Sequence, residues 1–212
     1  MIADLGCGTG KFTRLLTTTG ASVVGIEPLA PMAATFRSLC PGVPIVAGTA
    51  ESIPLQPSTC NVVACASAFH WFNHDLALPE IHRVLKPGGR LGVIWNRRDR
   101  LEGWAAEFWA ITEQYRGDTP GYRTGVWREA LERSPRFGPI AEHWFDHVQH
   151  VDLPGLLARV RSASFIEILP INEREAVMDR VRGFVESHEA TRGHDFFDLP
   201  YHSVVYVSRR VD

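Results

Sequence analysis

Three glycines at alternate positions, Gly6, Gly8 and Gly10, follow directly on the apolar run Met1-Ile2-Ala3-Asp4-Leu5, so the chain opens as a short strand that turns through a loop stripped of side chains. Without Cβ atoms such a loop bends tightly and lets its N–H groups approach a ligand closely. A strand running into a glycine-spaced turn is how α/β folds grip nucleotide-like cofactors. The spacing also discriminates among them. A dinucleotide loop carries its last glycine three positions after the second, and Lys11 stands there, so the G-x-G-x-x-G pattern of NAD-binding folds fails.

A second element of the site lies downstream. Ala21-Ser22-Val23-Val24-Gly25-Ile26 reads as a buried strand and ends on an acid, Glu27. A carboxylate at the tip of the strand beside the glycine turn suits two vicinal ribose hydroxyls, which it can accept together. Further strands are expected near 43–47, 61–66 and 90–95, separated by helix-like stretches, which argues for a doubly wound parallel sheet. In open sheets of this kind ligands bind beyond the carboxyl ends of the strands. Asp4 to Gly10, Glu27, Thr49 to Glu51 and Ser67 to Trp71 are thereby expected to share one crevice. Between Asn73 and Leu85 the apolar set Leu78, Ile81, Val84 and Leu85 suits a helix packed on the sheet and ended by Lys86-Pro87-Gly88-Gly89.

These residues carry a family resemblance. Asp4-Leu5-Gly6-Cys7-Gly8-Thr9-Gly10, Glu27 and Gly48-Thr49-Ala50-Glu51 resemble class I S-adenosylmethionine-dependent methyltransferases. Ala68-Phe69-His70-Trp71-Phe72, then Arg83 to Gly89 and Val93 to Asp99, are similar to the branch of the methyltransferase type 11 domain that includes trans-aconitate methyltransferase-like enzymes. The resemblance implies a mostly parallel, seven-stranded Rossmann-like sheet with an antiparallel last strand, and S-adenosyl-L-methionine as cofactor. It assigns cofactor contact to Asp4, Gly6, Cys7, Gly8, Gly10, Glu27, Pro28, Thr49, Ala50, Glu51, Ala68 and Trp71. Thr49 departs from the Asp that many relatives carry there, and accepts less strongly. The resembling enzymes carry a few dozen residues ahead of the first strand, so the native chain is expected to begin upstream of Met1.

On the acceptor side, Trp71 could wall the sulfonium with an apolar, cation-attracting ring. His70, titrating near working pH, is the candidate base, although an acceptor that is already ionised needs none. Arg97 and Arg98 could hold an anionic acceptor bidentately. Trp104, Phe108, Ile111 and Tyr115 fall on one face of an expected helix, which makes residues 100–138 a candidate acceptor cap with Trp104 in its lining. Methyl transfer from a sulfonium is an in-line displacement in which orientation supplies most of the acceleration, so no catalytic dyad is required.

The remaining expectations concern organisation. The 212 residues, 45% hydrophobic, can bury a sizeable core, and a single domain is expected, divided into a cofactor-binding half 1–99, the insertion 100–138, and C-terminal strands and helices 139–212. Phe165 to Leu169, the amphipathic stretch Glu173 to Val185 and a strand over Ser203 to Val207 complete the sheet with an antiparallel hairpin. A formal net charge of −2 gives no global attraction to nucleic acid, and the chain lacks the Asn-Pro-Pro-Tyr or its Asp variant that resembling enzymes carry after the fourth strand to methylate nucleic acid bases, so the resemblance implies a small-molecule acceptor, carrying a carboxylate or hydroxyl. Cys7, Cys40, Cys60 and Cys65 form no C-x-x-C pair and read as reduced thiols. His143, His147 and His150 do not share one strand face, so no metal is expected. Nothing reads as a membrane span or a signal peptide, and the expected location is cytoplasmic. The alternatives are a non-catalytic S-adenosylmethionine-binding module and, behind it, an NAD-dependent oxidoreductase.

Overall fold

A computed structural model describes residues 1–98 and 100–212; Asp99, the last residue of the Val93 to Asp99 motif, lies outside the described residues. Among the described residues seven strands form one sheet in the order β3-β2-β1-β4-β5-β7-β6. They are β1 (Ile2–Leu5), β2 (Val23–Ile26), β3 (Ile45–Val46), β4 (Cys60–Ala66), β5 (Leu85–Arg97), β6 (Ala141–Asp152) and β7 (Phe196–Arg209). β1 pairs in parallel with β2 and β4, β2 with β3, and β4 with β5, while the last strands are antiparallel. The crossovers are α1 (Lys11–Thr17), α2 (Ala30–Leu39) and α3 (His74–Val84). The expected doubly wound sheet is therefore the one observed.

Two boundaries differ from expectation. Lys86-Pro87-Gly88-Gly89, expected only to end α3, falls inside β5: Leu85 pairs with Cys60 and pairing resumes at Val62 with Arg90, so the four residues leave the register. Phe165 to Leu169 contributes no strand. Its first half is the short helix α7 (Ser164–Glu167), which buries Phe165 and Ile166.

By spatial proximity the chain parts into two compact units, and β5, β6 and β7 contribute residues to both. The first comprises Met1–Trp95, Pro120–His143 and Val204–Asp212. The central strands β1 and β2 and the apolar stretches of β4 and β5 are largely buried, whereas β3 at the edge is half-buried, and Phe36, Ile81 and Leu131 are at most 1% exposed. Helix α5 (Val126–Arg133) buries Trp127, Ala130 and Leu131 and packs against α3.

The second unit comprises Asn96–Thr119 and Trp144–Ser203. Its core gathers α4 (Gly103–Glu113), α6 (Leu153–Arg161), α7 and α8 (Ile171–Ser187) around Phe108, Leu156, Ile166, Val177 and Leu199. The expected inward face of α4 is rotated. Ala105, Phe108, Trp109 and Thr112 are the buried residues, whereas Trp104, Ile111 and Tyr115 are half-buried flanks. This face packs in the core of the second unit, where α4 is in contact with α8. The candidate insertion 100–138 accordingly divides between the units: 100–119 belongs to the second, 120–138 to the first.

The cysteines are all free and buried. Among the described residues no helix is long and apolar enough to cross a membrane, and no group of His, Cys, Asp or Glu is placed to hold a metal ion. His147 and His150 instead serve the β6/β7 ladder. His147 stacks on Tyr201 at 5.1 Å, while His150 stacks on Phe196 at 4.9 Å and pairs with Asp198 at 3.0 Å.

Candidate functional site

The carboxyl ends of β1, β2 and β4, all in the first unit, bring the expected cofactor residues together. β1 delivers Asp4 to its tip, 1% exposed. Thr13 of α1 donates to Asp4 Oδ2 at 2.5 Å, and Oδ1 is buried with no hydrogen-bond partner among the described residues. Burial chiefly, and the neighbouring charge of Glu27 to a lesser degree, push the Asp4 carboxyl up to about 6 against the help of the Thr13 hydroxyl. An ionised Asp4 here calls, at Oδ1, for a cation or a hydrogen-bond donor that the described residues do not provide.

The glycines of the loop divide by what surrounds them. A Cβ on Gly6 would lie 2.7 Å from Ala68 Cβ, and one on Gly10 would run into Cys40 and Phe36, so these two are demanded by the packing of the protein itself. Gly8 is different. Its φ is +54°, and among the described residues the one atom that a Cβ would meet within 4 Å is Met32 Sδ, at 3.8 Å. Its bare backbone faces open space, which is where a ligand can lie against main chain.

Glu27 is 5% exposed at the end of β2. Gly8 N–H donates to its Oε2 at 2.9 Å and Leu29 N–H to its Oε1 at 3.0 Å. Each carboxylate oxygen can accept twice, so both keep a lone pair for a diol. Pro28 beside it is exposed. Cys7 is buried, and burial together with the Asp4 and Glu27 charges pushes its thiol up to about 12, so it stays a neutral packing group beside Phe36 and Cys40.

The loop after β3 places Thr49 at the surface and Ala50 at 3% exposure. Glu51 is half-buried, and its Oε1 accepts from Asn73 N–H at 2.9 Å, which ties this loop to the start of α3. Sequence reading passed over the anchor on the other side. Glu80 Oε2 accepts from Ile53 N–H at 2.9 Å, while the Arg83 guanidinium binds both Glu80 oxygens and the carbonyls of Ile53 and Leu55 at 2.6–2.8 Å. Their spacing of three on a helix, next to a Pro-containing loop, was the available signal.

After β4 the chain passes through Ser67, which holds a left-handed φ of +56°, and enters a short helical turn over Phe69–Trp71. Trp71 is 51% exposed, and His70 is partly buried beside it. The three residues expected on the acceptor side, Arg97, Arg98 and Trp104, belong to the second unit. Arg98 lies over the Trp109 ring at 3.5 Å with Glu113 at 3.5 Å, Arg97 lies over Trp144 at 5.2 Å, and Trp104 packs against Phe108 and Phe197.

Residues 3–93 match the family described as a methyltransferase domain. An uncharacterized methyltransferase of Mycobacterium tuberculosis is 34% identical over 203 residues, covering 96% of this chain and 80% of the relative. An uncharacterized methyltransferase-like protein of Schizosaccharomyces pombe is 32% identical over 211 residues, covering 99% and 82%. Among solved structures, the YcgJ protein of Bacillus subtilis superposes with a TM-score of 0.59 at 16% identity over 100% of this chain and 92% of that one. Geranyl diphosphate C-methyltransferase of Streptomyces coelicolor, solved with Mg2+, geranyl diphosphate and S-adenosylhomocysteine, superposes with a TM-score of 0.52 at 19% identity over 99% and 70%. At such identities the two structures show a shared fold.

Proposed function

Because the chain belongs to the class I S-adenosylmethionine-dependent methyltransferases, we propose that the glycine-loop edge of its first unit holds the donor and that its acceptor is a small molecule carrying a carboxylate or a hydroxyl. The observation that carries the placement is the convergence of three features on one sheet edge. These are the open face of Gly8, the spare lone pairs of Glu27, and the buried, unpartnered Oδ1 of Asp4. Such an edge suits a ligand with a diol and a cationic end, and S-adenosylmethionine has both. NAD lacks the fit of the loop spacing, and the family sets it aside.

When bound, the donor supplies a methyl group on a sulfonium, open to in-line displacement. The chain's own residues then have three tasks. Gly8 and Glu27 fix one end of the ligand, and Ala50 and Glu51 frame another, with Glu80 and Arg83 keeping that loop in place. Trp71 offers an exposed aromatic face, favourable to a neighbouring cation by about 1 kcal/mol. Orientation of acceptor against donor then lowers the barrier without a dedicated nucleophile. With a net charge of −2, the chain has no global attraction to nucleic acid phosphates, in keeping with a small-molecule acceptor.

Calorimetric titration with S-adenosylmethionine, S-adenosylhomocysteine and NAD tests the reading, followed by conversion of the first to the second in the presence of a panel of carboxylic acids and alcohols. Binding of the first two alone, with turnover on a panel member, is the expected result. Binding without turnover on any acceptor class would leave a cofactor-binding module instead of an enzyme.

A further inference from the structure

Trp95 Nε1 lies 3.1 Å from His70 Nδ1. An indole N–H has no lone pair to offer and is a donor only, so the nitrogen that faces it must be the acceptor. His70 Nδ1 therefore carries no proton. A neutral imidazole has one N–H, which then sits on Nε2. Had the partner been a hydroxyl, either tautomer would have satisfied the same distance; the chemistry of tryptophan removes that freedom.

The donor is also held firmly. Trp95 is 3% exposed near the end of β5, and its ring lies 4.6 Å from Trp127, 5.9 Å from Tyr206 and 6.0 Å from Tyr122. All four rings and His70 belong to the first unit. The indole cannot turn away without repacking this cluster. A second proton on Nδ1 would set N–H against N–H and leave the buried indole donor without an acceptor.

We propose that Trp95 is a positioning residue that locks His70 as the neutral Nε2–H tautomer, so that its one N–H stands at Nε2 and its Nδ1 lone pair is occupied by the indole. The consequence for catalysis rests on the methyltransferase reading above: with its Nδ1 lone pair taken by the indole, His70 is not the base of the reaction. The tautomer itself is a property of the chain alone.

The test is nitrogen NMR on the full chain with nitrogen-15 in its His and Trp rings, the His70 signals being identified by their loss in His70→Gln. At neutral pH we expect a pyridine-like Nδ1 and a pyrrole-like Nε2, together with a scalar coupling between Trp95 Nε1 and His70 Nδ1 across the hydrogen bond. In Trp95→Phe we expect the two tautomers to mix. A pyrrole-like Nδ1, two pyrrole-like nitrogens, or an unchanged His70 spectrum in a folded Trp95→Phe protein would overturn the proposal. Should Trp95→Phe not fold, the coupling in the native chain decides: its presence supports the lock and its absence refutes it. Calorimetry with S-adenosylmethionine on the same sample keeps the two ideas apart, since failure to bind would strike the functional reading and leave the tautomer standing.

Discussion

Gly8 N–H donates to Glu27 Oε2 at 2.9 Å, tying the tip of the glycine loop to the carboxyl end of the neighbouring strand. The carboxylate expected to hold a ribose is thus also the brace that holds the loop. Leu29 N–H completes the brace from the other side.

Glu27→Ala should therefore lower stability as well as affinity. Two main-chain donors lose their acceptor, each costing on the order of 1–3 kcal/mol where it stays dry. Thermal unfolding should show a drop of several degrees, and S-adenosylmethionine affinity should fall at least tenfold. Glu27→Gln, which keeps one acceptor oxygen, should recover much of the stability but less of the binding. Equal effects of the two variants on unfolding would contradict the brace.

Gly8→Val should act differently. Among the described residues a Cβ here meets only Met32 Sδ, at the ordinary contact distance of 3.8 Å, but φ of +54° strains a side chain by about 1–2 kcal/mol, and its bulk enters the open face. We expect a folded protein by circular dichroism with no measurable cofactor binding. Retained affinity would place the ligand elsewhere.

Asp4 sets a pH dependence. Its carboxyl is raised from 3.8 to about 6 in the folded chain, chiefly by burial, so folding favours the protonated form. That contribution is complete below the unfolded value and is lost as pH rises through about 6. It amounts to about 3 kcal/mol at most. Denaturant unfolding across this window should show stability declining with rising pH and then levelling, and Asp4→Asn should flatten the slope. An unchanged slope in the variant would assign it to another group.

Arg83→Ala removes the guanidinium that binds the Ile53 and Leu55 carbonyls and Glu80. Because the pair is partly solvated, a loss of about 2 kcal/mol is expected rather than the full value of a buried network. Cofactor affinity should fall with it, through the Thr49 to Glu51 loop, while Arg83→Lys should restore only part of either. Hydrogen exchange of the Ile53 and Leu55 amides gives the local readout, and protection equal to that of the native chain would refute the anchor.

His70→Gln retains an N–H where Nε2–H stands, and His70→Ala does not. With an accepting substrate in hand, turnover of the first should stay within about tenfold of native and exceed the second. Equal losses in both would point to a base.

What the sequence determined by itself was local. The apolar run into Gly6, Gly8 and Gly10, the acid closing β2, and the unbroken apolar runs of β4 and β5 specify strand, turn and ligand edge through φ/ψ limits and burial, which depend on neighbours a few positions away. The amphipathic stretch from Glu173 to Val185 likewise became α8. The tertiary structure decided what depends on partners far along the chain. Glu51 meets Asn73 across 22 positions and Trp95 meets His70 across 25. The inward face of α4, Ala105, Phe108, Trp109 and Thr112, was set within a core to which α6, α7 and α8 also contribute. Spacing carries no record of such pairings, because a hydrogen bond or a packed face is fixed by which surfaces meet in space. Only the fold supplies that meeting.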